Sequence, residues 1–354
     1  MTRENYIAAV GTYSAATDES IFTVAVDPDT GSMKQLDAVA AGPDPTFVAF
    51  HPSRDYLYAA VREEKEGLIR SYEVDRDTGE LTERNSASSG AAGPCYCSVD
   101  GTGQFLLVAH YTGGAISMLP LDSDGEIGSP CEVIEHHGSS IDSDRQTAPH
   151  PHSITLGPEN RFAYVPDLGT DQIHVYAVDH DRGSLSRAGV VNCPPGSGPR
   201  HLSFSTDSDQ VYVINELDST VTVFDRQSDG LLTERSTVST LPSDFGGDNK
   251  TAEIATHPIG DYVYGSNRGQ DTIVTFAVDD ETITRVDQTP TCGEWPRHFA
   301  IAPDGEFLFV ENRYTNDIIA FDVDTATGKL SPANESLSIT EPVCMQWMPD
   351  RHRN

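Results

Sequence analysis

The 354-residue chain carries 55 acidic against 23 basic residues, a formal net charge of −32, and 37% of it is apolar. So acidic a surface repels phosphate backbones and anionic lipid, which excludes nucleic acid and membrane surfaces as partners. No run approaches the ~18 apolar residues of a membrane span. The start, MTRENYIAAVGTY, lacks the apolar core of a secretory signal, so a soluble cytoplasmic protein is expected.

Lysine is scarce, with only Lys34, Lys65, Lys250 and Lys329, and Asp outnumbers Glu. Dense carboxylates with few lysines fit a protein kept hydrated in molar salt, so a halophilic origin is expected. The six cysteines are scattered and form neither a CxxC pair nor a zinc spacing. They read as free thiols.

The N-terminal segment reads as strands over Tyr6–Tyr13 and Ser20–Asp27, a turn at Pro28–Gly31 and a short strand near Met33–Leu36. The same ending recurs along the chain. Ile69–Asp75 with a turn at Asp77–Gly79 follows Tyr56–Val61, and Thr220–Asp225 with a turn at Ser228–Gly230 follows Val211–Asn215. Alternating Val, Ile, Tyr and Phe bounded by Asp-x-x-Gly turns is hairpin chemistry.

Seven anchors organise these units: Pro45, Pro94, Pro151, Pro199, Thr251, Pro296 and Pro342. Subtracting successive numbers spaces them by 49, 57, 48, 52, 45 and 46 residues, a period that marks a ring or stack of equivalent units. The last anchor leaves room for one strand only, and the N-terminal segment supplies the other three. That complementarity closes a ring and leaves no sheet with an open edge. The sequence therefore predicts an all-β, seven-bladed β-propeller of four-stranded antiparallel blades, one domain over residues 1–354. The Gly/Ser/Asp-rich insertion Leu121–Pro149, with His136, His137, Arg145 and Gln146, is expected as a long loop over one mouth.

Where the units differ, chemistry is expected. The position after the anchor reads Thr46, Cys95, His152, Arg200, Ala252, Arg297 and Val343; the next reads Phe47, Tyr96, Ser153, His201, Glu253, His298 and Cys344. Seventeen residues after the anchor stand Arg62, Tyr111, Leu168, Glu216, Arg268 and Arg313, with Thr12 from the N-terminal strand. Antiparallel pairing puts these columns at the same end of each innermost hairpin, so they converge on one channel mouth. A plainer reading has Arg200, Arg268 and Arg297 neutralising an acidic mouth, with His201 and His298 as hydrogen-bonded core histidines. Like charges gathered without an anionic ligand repel, which favours a bound anion. His150, His152, His201 and His298 also raise a metal, but no carboxylate-rich ligand set accompanies them. No metal or other cofactor is expected.

Six motifs in order, Ala148-Pro-His-Pro-His-Ser153, Gly198-Pro-Arg-His-Leu202, Asn215-Glu-Leu-Asp-Ser219, Ala252-Glu-Ile254, Ser266-Asn-Arg-Gly269 and Trp295-Pro-Arg-His-Phe299, resemble the β-propeller lactonases. That group joins the 6-phosphogluconolactonases and the carboxy-muconate lactonising enzymes. Pro151 departs from the alanine usual between the two histidines. The resemblance implies His152, Arg200, Glu216 and Arg268 as catalytic positions and Arg297 as an anion contact. His201, His298, His150 and Asn267 complete the expected substrate-binding set.

The expected activity is hydrolysis of an anionic sugar lactone, 6-phosphogluconolactone in type. His152 would act as base, Arg200 and Arg268 as oxyanion or substrate-anion donors, and Glu216 as their orienter or a proton donor to the ring oxygen. Lactonisation of a carboxylated muconate and a non-catalytic binding scaffold stay open at this point.

Overall fold

The computed structural model describes residues 3–63, 66–279 and 282–350. Seven separate four-stranded antiparallel sheets stand around one axis. Their innermost strands are Pro45–Phe50, Pro94–Val99, Thr155–Leu156, Pro199–Phe204, Lys250–Thr256, Pro296–Ile301 and Pro342–Trp347, which head blades 1 to 7 in that order. Blade 7 is completed by Tyr6–Thr12, Ile21–Val26 and Met33–Val39, so the two ends of the chain share one sheet. Among the described residues there is no helix long and apolar enough to cross a membrane.

Burial follows the radial position of each strand. The second strands, such as Phe105–His110 and Phe307–Asn312, are buried throughout, because both faces pack against neighbouring blades. The outermost strands are largely exposed; in Leu232–Ser239 only Leu232, at its start, is buried. Apolar β-branched and aromatic side chains suit the first environment and polar ones the second.

Blades lock together through a repeated contact. The outer turn of blade 4 places Gly230 at φ +84°, where an added Cβ would lie 2.6 Å from the Phe162 ring of blade 3. Gly328 of blade 6 meets Tyr262 of blade 5 in the same way, at φ +70° and 2.4 Å. Only glycine combines that backbone with that closeness.

One irregularity positions the site. Innermost strands pair with their neighbours through a bulge at the first position after the anchor: between Pro45 and Phe47, Pro94 and Tyr96, Pro199 and His201, Thr251 and Ile254, and Pro296 and His298. Blade 7 shifts register at the same level, between Gly11 and Thr12. Each bulge sets one extra residue against the partner strand and re-aims the side chains there, as bulges do beside active sites.

The insertion after Leu121 departs from expectation in part. Glu132–Glu135 is the outermost strand of blade 2, so only residues 136–149 run as a loop to the mouth. The repeat needs a fourth strand, and the Glu132–Glu135 backbone pairs with Ala115–Met118 to provide it. All six cysteines are unpaired thiols, four of them buried.

Candidate active site

Glu216 is the centre of the mouth. It follows the second strand of blade 4 and is buried, 3% exposed, a cost that only opposite charges offset. Three guanidiniums supply them. Arg268 Nη2 lies 2.9 Å from Glu216 Oε2, Arg200 Nε 3.2 Å from the same oxygen, and Arg145 Nη2 2.6 Å from Oε1. His152 Nε2 stands 4.0 Å from Oε2. Thus His152 of blade 3, Arg200 of blade 4, Arg268 of blade 5 and Arg145 of the loop 136–149 meet one carboxylate.

Backbone carbonyls hold the arginines in place. Arg200 Nη1 donates to Ala252 O at 2.6 Å and Arg268 Nη2 to Thr251 O at 2.6 Å, both on the innermost strand of blade 5. Arg268 also lies over the Trp295 ring, 5.5 Å from its centroid. Burial and the neighbouring Arg268 and Arg297 push Arg200 down to about 9, so it stays cationic at neutral pH. Burial raises the Glu216 carboxyl, but Arg268, Arg200 and Arg145 outweigh it and leave the group well below the usual range. Glu216 is ionised at any working pH. Burial, then the charges of Arg200 and Arg297, drive His152 well below its ordinary value. The imidazole is neutral.

A second layer lies beside the first. His201 stacks edge-on to His152 with centroids 5.3 Å apart, and its Nδ1 donates to Glu253 Oε2 at 2.8 Å. His298 Nε2 approaches the same oxygen at 3.4 Å, while its Nδ1 lies 2.7 Å from Glu311 Oε2. The Met345 N–H also points at that Nδ1, at 3.3 Å, so the nitrogen is an acceptor and Glu311 must be the donor. Burial and the nearby Glu253 raise Glu311 well above the carboxylate range, in agreement. Carboxylates therefore do accompany these histidines, contrary to the reading of the motifs. Glu253 came from the same column as His201, while Glu311 lies one strand over, outside any column.

The other expected binding residues divide. His150 stacks on Tyr111, with centroids 4.3 Å apart and planes 7° from parallel, and its Nδ1 donates to Tyr111 O at 2.8 Å. Tyr111 OH in turn accepts from Arg145 at 3.2 Å. Arg297 sits over the Tyr13 ring at 5.2 Å. Asn267 is not at the mouth cluster: its amide is committed to Thr240, Asn249 and Thr272. Adjacent residues on a strand face opposite ways, so Arg268 and Asn267 cannot share a side.

Arg145 had no counterpart in the other blades to single it out. Its loop is fastened at both ends. His136 Nδ1 lies 2.7 Å from Asp167 Oδ2, and Asp171 accepts from Ser140 at 2.6 Å and Gln146 at 2.7 Å. Asp171 also accepts from Gly196 N and Gly198 N, just before Pro199 and Arg200. One buried carboxylate thereby fixes the loop of Arg145 against the approach to Arg200. His136, Asp167 and His174 hold ligand atoms within 4.8 Å of one another. Arg187 Nη2 lies 2.7 Å from His174 Nδ1, and that guanidinium opposes a dication there. The trio reads as a loop clamp.

The structure is an all-β ring with a buried, ionised cluster in its mouth rather than a flat apolar rim. The family model described as "Lactonase, 7-bladed beta-propeller" matches residues 7–347, and the chain belongs to that family. It is 31% identical over 346 residues to the 6-phosphogluconolactonase of Bacillus subtilis (strain 168), covering 97% of this chain and 98% of that one. The 6-phosphogluconolactonase of Formosa agariphila is 31% identical over 334 residues, covering 91% and 94%. Among solved structures, the Pseudomonas aeruginosa periplasmic gluconolactonase superposes with a TM-score of 0.90 at 28% identity, covering 97% and 99%.

Proposed function

We propose that the chain is a sugar-lactone hydrolase acting on 6-phosphogluconolactone or a close relative, with His152, Arg200, Glu216 and Arg268 as its catalytic group. The observation that carries the reading is the neutral His152 imidazole 4.0 Å from a carboxylate gripped by three arginines. The names of the curated relatives support the same substrate class.

Lactone opening needs a base for water and positive charge for the carbonyl oxygen. His152, neutral at working pH, takes the proton as water attacks the carbonyl carbon. Arg200 and Arg268 face the oxygen that becomes anionic, and their rigid anchoring on blade 5 keeps reorganisation small. The ring C–O bond then breaks, its electron pair leaving on the ring oxygen, which recovers the proton from His152. The product is the open-chain acid. Glu216, held ionised, orients the arginines and is no proton donor.

Replacing His152 by Ala is expected to lower turnover by about 10²–10⁴-fold over the spontaneous background. An unchanged rate would remove it as the base. The acidic composition, −32 in net charge, further supports adaptation to high salt.

A further inference from the structure

The mouth holds a second basic cluster, on blades 6, 7 and 1. Three guanidiniums surround the single ring of Tyr13: Arg313 at 4.5 Å from its centroid, Arg297 at 5.2 Å and Arg62 at 5.3 Å. Glu341 neutralises Arg313, with contacts of 2.8 and 2.7 Å. No carboxylate within ion-pair distance answers Arg62 or Arg297 among the described residues, and the buried Arg62 Nε has no hydrogen-bond partner. With Tyr13, Arg62 and Arg313 line an open cleft of about 440 Å³, with Asp44 and Glu341 also on its wall.

Such a gathering is costly unless something answers it. Subtracting the four lysines from 23 basic residues leaves nineteen arginines in the chain. Arg62, Arg297 and Arg313 join Arg145, Arg200 and Arg268 in the mouth, and the chain has 55 acidic residues it could have set beside them. Of the three, only Arg313 has a carboxylate partner among the described residues, so Arg62 and Arg297 gathered around the same ring repel, and the planar forks of Arg62 and Arg313 on the cleft wall suit a tetrahedral oxyanion.

We infer that Arg62, Arg297 and Arg313 around Tyr13 form a phosphate subsite, which holds the phosphomonoester end of the substrate while its lactone ring lies at Glu216. The inference rests on the hydrolytic reading above. Continuity between the clusters supports it. Arg268 of the first cluster lies over the Trp295 ring, 5.5 Å from its centroid, and Trp295 O accepts from the Arg313 N–H of the second at 3.1 Å, so one residue links the two. The lactone carbonyl and a 6-phosphate sit at opposite ends of one six-carbon skeleton, which calls for two anion sites in a single mouth.

The test compares 6-phosphogluconolactone with unphosphorylated δ-gluconolactone on the wild type, Arg62→Ala and Arg62→Lys. A charged hydrogen bond lost from the subsite should lower kcat/KM for the phosphorylated lactone by about 10–100-fold, mainly through KM. The unphosphorylated lactone should change by less than about threefold, and Arg62→Lys should recover part of the loss. Inorganic phosphate should compete with the phosphorylated substrate in the wild type and compete more weakly in Arg62→Ala. Equal losses on both lactones, or none on either, overturn the subsite. Failure of the wild type to open either lactone overturns the hydrolytic reading instead. Calorimetric titration with inorganic phosphate then still decides the subsite: tight binding lost in Arg62→Ala supports it, and no binding by the wild type ends it.

Discussion

Arg145 and Glu216 lie 71 residues apart in the chain and 2.6 Å apart in space. The contact joins the loop 136–149 to the carboxylate that organises the mouth. Arg145 is partly exposed, with 28% of its side chain accessible, while Glu216 is buried. It therefore closes the cluster from the solvent side.

Removing that closure should loosen the cluster without unfolding it, since His136 and Asp171 still hold the loop. Arg145→Ala is expected to lower kcat by about tenfold, the size of one charge-assisted hydrogen bond, with little change in melting temperature. Steady-state kinetics on the lactone and a thermal melt check both. Unaltered kcat would place Arg145 outside the working site.

Asp171 carries the opposite expectation. It is buried, 4% exposed, sits at φ +52° and accepts from two side chains of the loop and two backbone N–H groups before Arg200. Asp171→Ala strands these donors, at about 2–4 kcal/mol of stability. Chemical denaturation should show it. Activity should fall with it, because Arg145 and Arg200 lose a common support.

Much of this was legible in the sequence, and the rest fails for identifiable reasons. The seven anchors and the split last blade gave the ring, because each blade repeats one burial pattern. His152, Arg200, Glu216 and Arg268 emerged because columns of a repeat become rings in space. The bulge after each anchor was not legible. Strict alternation sends Arg200 and His201 to opposite faces, yet the extra residue in blade 4 lets one reach Glu216 and the other Glu253. Asn267 was drawn toward the site by its neighbour Arg268, and period-2 geometry turns it away. Arg145 and Glu311 stood outside every compared column, one in an insertion and one buried in a second strand.

The blade interface makes a stability prediction independent of the site. Gly230→Ala adds a methyl group 2.6 Å from Phe162 at a φ that disfavours side chains. A loss of about 1–3 kcal/mol is expected in denaturant unfolding, with the KM for the lactone unchanged. Full stability would show that the blade 3–4 contact yields easily.

The pH dependence follows from the sign of the shifts. Burial holds His152 and His201 well below 6.5 in the folded state and His110 at about 4. A depressed histidine leaves the unfolded chain binding more protons below pH 6.5. These groups therefore favour folding fully above that pH and progressively less as pH falls toward their folded values. Glu311, raised by burial, acts oppositely: its contribution is present below the unfolded value and lost as pH rises through the folded one. His51, His174 and His298 are depressed as well, and Glu253 and Asp218 are raised like Glu311, so six histidines against three carboxyls predict a melting temperature that drops between about pH 6.5 and 4. For catalysis, a neutral His152 predicts kcat/KM flat from pH 8 through 6.5, with no acid limb at the ordinary histidine value. An inflection near 6.5 that vanishes in His152→Ala would show the base to be an unperturbed imidazole.

The acidic surface makes the last prediction. A net charge of −32 on 354 residues stores self-repulsion that ions relieve. The screening length falls from ~10 Å at 0.1 M to ~3 Å at 1 M salt, so most of that relief requires salt near molar. The melting temperature is expected to rise steadily with KCl to at least about 1 M, and dialysis into low salt should unfold or inactivate the protein. The buried cluster at Glu216 is shielded from solvent ions, so kcat measured on still-folded protein should respond far less than stability. A protein equally stable in dilute buffer and molar salt would show that its carboxylates are spaced widely enough to need no screening, and adaptation to salt would then be the wrong account of its composition.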